Sequence, residues 1–179
     1  MLRIKKVKVT KEKKINIEYE VMNKNSGWDE FSFSCSDEAL PEFYCALKDL
    51  AWDVIEMCEQ PDDYIDRIDI KSVSFSYAGE KEVMGAVISA AMSLMKSNCP
   101  LNLNTPHKAS ESYSDTPAPD EQLLSGLCVK RLNKLHKQCV LYIGGYRAQT
   151  DLFAQLQPAL ICNEIITEEI DEVFKKHGG

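Results

Sequence analysis

Gln149, Thr150, Asp151, Leu152 and Phe153 form the segment whose residue types and spacing most clearly define a chemistry, and that chemistry is recognition. Leu152 and Phe153 are neighbouring large apolar side chains. On a simple strand they point to opposite faces, but in an extended or singly turned peptide both enter one concave pocket. Gln149, a few residues upstream, offers an amide donor and acceptor that fixes register at the pocket rim, and Asp151 completes the polar part. One apolar anchor with a few polar contacts is the economy of linear-motif binding. In the competing reading Thr150 or Asp151 caps a short helix, and Leu152, Phe153 and Leu156 pack on the chain's own body.

A second set of residues suits nucleic acid. Residues 1–14 carry seven Lys/Arg (Arg3, Lys5, Lys6, Lys8, Lys11, Lys13 and Lys14) against Glu12 alone, although the formal net charge is −7. Residues 36–69 carry eleven Asp/Glu against Lys48 and Arg67. Such asymmetry either presents a phosphate-attracting face on an acidic body or makes two solvated faces. Trp28 and Tyr77 are the aromatics best placed to stack on bases, while Phe31, Phe33 and Phe75 read as core beneath a helix. The acidic stretch would equally suit a DNA mimic.

Other chemistries find no support. His107, His136 and His177 stand far apart and match no metal spacing, so no metal or other cofactor is expected. Asp62, Asp63, Asp66 and Asp69 could hold a divalent cation but fall in a helix-to-strand turn, where acids serve solubility and capping. No Gly-rich phosphate loop, Gly-x-Ser-x-Gly elbow or Cys–His spacing is present, so catalytic residues are not assigned and the chain reads as a non-enzyme. Seven scattered cysteines without a Cys-x-x-Cys read as reduced thiols of a cytoplasmic protein. A basic start that leads into alternating residues is not a signal peptide, and no apolar run is long enough for a membrane span.

These residues need elements to position them. Val7 and Val9, then Ile15, Ile17, Tyr19 and Val21, alternate around the turn at residues 10–13, and a third strand runs from Trp28 to Cys35. Ser36, Asp37 and Glu38 precede a helix from about residue 38 to 59. Its apolar stripe includes Phe43, Leu47, Leu50, Val54 and Cys58, with Asp49, Asp53 and Glu56 largely outside. Ile68 to Tyr77 alternate with one slip at Lys71-Ser72, predicting a bulged strand, and residues 82–95 make another. Residues 97–119 are polar and proline-rich, hence a connecting segment. Helical spacing returns at 120–143, with Leu124, Leu127 or Cys128, Leu132, Leu135, Cys139 and Tyr142 on one face. Gly144 and Gly145 stop that helix. A tail at 144–179 ends in a short amphipathic helix marked by Ile161, Ile165, Ile170 and Phe174, which either folds back or mediates self-association into a homo-oligomer.

The expected fold is α+β: an antiparallel sheet of about five strands in the order β-β-β-α-β-β over residues 1–96, packed by one helix and followed by C-terminal helices.

Two resemblances add to this. The segment at 149–153 resembles the Gln-x-Ser/Asp-Leu-Phe peptide by which many bacterial and phage proteins dock on the bacterial sliding clamp. Residues 28–36, Pro41-Glu42-Phe43-Tyr44, residues 53–59, residues 73–77 and residues 101–108 resemble small proteins of phages and prophages of Gram-positive bacteria, whose chains tend to close with such a tail. The similarity covers about residues 1–153, and this chain continues past Phe153. The resemblance implies a cytoplasmic accessory protein of DNA replication or recombination whose partner is the sliding clamp, bound through Gln149, Asp151, Leu152 and Phe153. The alternatives are a single-stranded DNA-binding module using Lys5, Lys6, Lys8, Lys11, Lys13, Lys14, Trp28 and Tyr77, or an acidic inhibitor of a host defence or DNA-handling protein.

Overall fold

The computed structural model describes residues 1–25, 27–79, 81–112, 119 and 122–148. Its strands are β1 (Leu2–Val9), β2 (Ile15–Asn23), β3 (Gly27–Cys35), β4 (Ile68–Ala78), β5 (Val83–Met92), β6 (Leu101–Asn104) and β7 (Lys108–Ala109). The helices are α1 (Pro41–Asp49), α2 (Ala51–Met57) and α3 (Gly126–Ile143), with a 3-10 turn at Asp62–Arg67. All strand pairs are antiparallel, in the order β3-β2-β1-β4-β5-β6, and β7 also pairs with β5. The chain is therefore α+β, as expected, with more strands than expected.

Two bulges set which residues face the core. In β1 the register shifts between Ile4 and Lys6, so Ile4 and Val7, three apart, are both fully buried. In β4 the shift between Ile70 and Ser72 likewise turns both Ile70 and Val73 into the core. The second is the slip expected from the alternation. Gly27 begins β3 at φ +91°, a conformation that an L side chain resists.

The helical layer differs from the expected single helix over 38–59. Pro41 takes the first helical position, where its missing N–H costs nothing, and leaves Leu40 extended. The run then breaks at Leu50, whose N–H bonds to the Leu47 carbonyl and whose carbonyl accepts from Asp53 and Val54. α3 opens at Ser125, whose Oγ accepts the Cys128 N–H at 3.1 Å. Cys128, Leu132, Leu135, Cys139 and Tyr142 then form one buried stripe at helical spacing. Leu127 is 61% exposed, so Cys128 is the residue that takes the inner position. This stripe joins Ile4, Val7, Ile17, Phe43, Val54 and Val73 in one core between sheet and helices.

The segment at 97–119, expected to be only a connector, contributes β6 and β7. Phe75 is buried as expected and Phe33 is half-buried. Phe31, expected in the core, is 47% exposed and stacks on Tyr19 at 5.4 Å. β3 is an outer strand of the sheet, so a side chain there lacks a neighbour on one side.

α3 is tied to β1 through His136, whose Nε2 accepts the Ile4 N–H at 3.4 Å and whose ring meets Phe75 edge-on. Burial holds this imidazole below its ordinary value of 6.5. The sign follows: the unfolded chain takes up the proton first, so stability falls as pH drops through 6.5 towards the depressed value. An NMR titration of the His136 ring is expected to show protonation only below 6.5, with chemical denaturation easier at the lower pH. A ring titrating at or above 6.5 would contradict the acceptor role of Nε2.

Candidate functional site

The end of α3 and the residues up to Ala148 are the last described before the segment at 149–153. Gly144 closes the helix and Gly145, at φ +95°, turns the chain back. The Arg147 guanidinium lies 3.7 Å over the Tyr142 ring, donates to the Tyr142 carbonyl, and comes within 4.0 Å of Asp37. The Ala148 N–H bonds to the Glu38 carbonyl at 3.0 Å. Tyr142 itself donates its hydroxyl to the Asp37 carbonyl at 2.6 Å, and burial pushes its pKa up. Residue 148 is thus bonded to the loop that precedes α1. Gln149, Asp151, Leu152 and Phe153 follow at once and lie outside the described residues, as do the expected terminal helix, Cys162 and His177.

The residues expected to meet nucleic acid are spread along β1. Lys6 sits between Glu18 and Ser74, and Lys8 between Asn16 and Ser72. Lys5, in the bulge, reaches Glu20 at 3.3 Å. Lys11 and Lys13 are exposed on the β1–β2 turn, and Lys14 is half-buried. The two aromatics gather at the other end of the strand, roughly 25 Å away at the rise of an extended chain. Trp28 lies 3.7 Å and Tyr77 5.0 Å from the Arg3 guanidinium. Arg3 also pairs with Glu20 at 2.6 Å and Glu82 at 3.1 Å. The Tyr77 hydroxyl donates to the Ile4 carbonyl at 2.9 Å, and burial pushes its pKa up to about 12. Both aromatics are half-buried around one cation, and the fold does not bring them to the turn lysines.

Glu20 is 5% exposed. Burial is the largest single influence and raises its pKa, yet the bonds and charges of Arg3 and Lys5 together hold the carboxyl below its ordinary value. The strand face that carries Lys6 and Lys8 also carries polar pairs: Asn16 and Ser34 bond each other, Ser89 donates to Asn104 at 2.7 Å, and Ser76 meets His107 at 2.8 Å. His107 can lie there because residue 85 is glycine; a Cβ would come within 2.6 Å of the imidazole Nε2.

The acidic stretch is partly answered within the fold. Lys134 of α3 bonds Asp49 at 2.9 Å and Arg131 bonds Asp53 at 2.9 Å. Asp62, Asp63 and Asp66 are exposed on the 3-10 turn, and Asp69 pairs with Lys71. Among the described residues no three His, Cys, Asp or Glu gather as a metal would require.

Asp53 is a second residue that sequence reasoning misplaced. Expected outside the apolar stripe, it is 1% exposed, because α3 packs across it. Its Oδ1 accepts from Arg131, and its Oδ2 has no hydrogen-bond partner among the described residues. Burial raises its pKa, and the guanidinium, with weaker help from the Cys128 thiol, offsets only part of that. Burial and the neighbouring carboxylate push Cys128 itself up to about 12. The available signal was the match of Asp49, at the end of α1, and Asp53, in α2, with Lys134 and Arg131 of α3.

Fold and site together define an antiparallel α+β protein whose helices pack on one side of the sheet. No family model matches the chain, and neither does any curated protein or solved structure. Among the described residues no helix is long and apolar enough to cross a membrane.

Proposed function

We propose that this chain is a phage or prophage accessory protein that docks on the bacterial sliding clamp through Gln149, Asp151, Leu152 and Phe153. It serves replication or recombination, or displaces host factors that compete for the same clamp pocket. The carrying observation is the order of residues 149–153, two adjacent apolar anchors behind a glutamine, in a segment that starts one residue after Ala148 is bonded to the body. An anchor placed immediately beyond a structured point is easy to present, since little chain entropy separates body from partner.

Lys6, Lys8, Lys11, Lys13 and Lys14 form no ion pair among the described residues. A factor tethered to a clamp meets DNA at high effective concentration, so these cations need supply only weak, salt-sensitive phosphate contacts.

Surface plasmon resonance on immobilised clamp tests the docking. Wild type is expected to bind, and Leu152→Ala/Phe153→Ala to lose roughly 100-fold in affinity, the scale of losing two central anchors. Equal binding by the double variant, or no binding by wild type, would refute this function.

A further inference from the structure

The sheet ends in two unlike edges. At one, β6 has four residues, Pro106 follows, and β7 adds two more. Short strands and a proline blunt an edge against further pairing. At the other, β3 runs for nine residues and pairs with β2 in unbroken register from Gly27 to Cys35. It contains no proline, lysine or arginine, and among the described residues it pairs with β2 alone. Its outer side therefore presents a long, unbulged run of strand backbone.

Phe31 stands at the middle of that run. It shares the helix-side face with Phe33, whose ring meets Tyr142 of α3 at 5.9 Å, but α3 does not cover it: the phenyl is 47% exposed. Charge then selects among partner registers. A two-fold axis perpendicular to the sheet joins two copies of β3 antiparallel, and the residue that faces itself defines each register. An axis at Asp29 or Glu30 sets two carboxylates directly opposite, which is destabilising. An axis at Ser32 avoids that clash but pairs residues 29–35 only. An axis at Phe31 pairs the whole of Gly27–Cys35. It sets Glu30 opposite Ser32, Asp29 opposite Phe33 and Trp28 opposite Ser34 of the second copy, so no two carboxylates meet, and it brings the two half-exposed phenyls side by side.

We propose that β3 is a dimer interface: two copies of this chain pair their β3 strands antiparallel about a two-fold axis at Phe31. The two sheets become one, with the helices of both copies on the same face. Backbone hydrogen bonds supply the pairing, and the Phe31 pair with the Glu30–Ser32 contacts fixes its register. The interface is small, so the dimer is expected to form at roughly micromolar concentration. It makes no use of residues 149–153.

Sedimentation equilibrium of the full chain from low to high micromolar concentration tests this. Wild type is expected to pass from monomer to dimer mass. Phe31→Lys removes both phenyls and sets two ammonium groups opposite each other, so it should weaken the dimer roughly tenfold or more, with an unchanged circular-dichroism spectrum. Mild oxidation tests the register. Phe31→Cys places two thiols face to face and should cross-link well above wild type, in which Cys45 and Cys99 are exposed. Asp29→Cys, whose counterpart lies roughly 13 Å further along the pair, should not exceed the wild-type level. A monomer at every concentration overturns the proposal. So does a dimer of wild-type affinity in Phe31→Lys, or no more disulfide in Phe31→Cys than in Asp29→Cys. Leu152→Ala/Phe153→Ala is expected to dimerise as wild type does, so a failure of clamp docking leaves this interface standing.

Discussion

Replacing Arg131 with alanine is expected to destabilise the protein by about 3–5 kcal/mol, because it strands a buried carboxylate. Asp53 is 1% exposed and Arg131 is its one charged partner at 2.9 Å. The guanidinium keeps 27% of its own side-chain surface in water, so the lower end of that range is expected. Burial has already raised the Asp53 pKa above 3.8 with Arg131 in place. A raised carboxyl means that the folded protein holds more proton than the unfolded chain. Its contribution to stability therefore falls as pH rises through the window between 3.8 and the raised value, then levels off. Without Arg131 that window extends upward, so the variant's deficit should be smallest in acid and largest at neutral pH. Glu20, held low by Arg3 and Lys5, acts in the opposite sense: it adds stability above its ordinary 4.5 and loses it as pH falls.

Urea unfolding of wild type and Arg131→Ala at acidic and neutral pH measures both effects. A cost below about 1 kcal/mol at neutral pH would mean that the pair behaves as a surface ion pair. Exchanging both residues for an apolar pair, Asp53→Leu with Arg131→Met, is expected to recover most of the loss, since desolvating two charges offsets much of their attraction.

The same pair shows where sequence reasoning reaches and where it stops. The α3 stripe was legible because Leu132, Leu135, Cys139 and Tyr142 repeat at helical spacing over many residues. The β4 bulge was legible because Ile70 and Val73 break an otherwise strict alternation. β1 contains the same three-residue step from Ile4 to Val7, but lysines on both sides of the slip disguised it. The burial of Asp53 was not legible, since it comes from a helix that starts more than 70 residues later. Strands of four and two residues among asparagine and proline, β6 and β7, are too short to show a period; only the free edge of β5 explains them. Phe31 followed the period expected of a core residue, yet no pattern within a strand reveals its place in the sheet. For the peptide proposed to dock the relation is reversed. Its residues were plain in the sequence, while the structure describes the chain only up to Ala148, whose N–H bonds to the Glu38 carbonyl.

The hold on Ala148 rests on Tyr142, and replacing that ring should separate its packing from its part in holding residue 148. The ring is 1% exposed, lies 5.7 Å from Phe43 and 5.9 Å from Phe33, and carries the Arg147 guanidinium on its face. Tyr142→Phe keeps every ring contact and removes only the hydroxyl bonded to the Asp37 carbonyl. A cost of about 0.5–1.5 kcal/mol is expected, the net worth of one hydrogen bond. Tyr142→Ala removes the whole ring from the core and should cost about 3–5 kcal/mol, as aromatic truncations do. It also takes away the surface on which Arg147 lies. The Ala148-to-Glu38 hydrogen bond should therefore open, and hydrogen exchange at the Ala148 amide should accelerate beyond what global destabilisation accounts for. In Tyr142→Phe that amide should stay protected almost as in wild type. Equal exchange in the two variants would show that residue 148 is held without the ring. Slow exchange in Tyr142→Ala would place the anchor of the tail in Asp37 and Glu38 alone, leaving α3 only the role of a core helix.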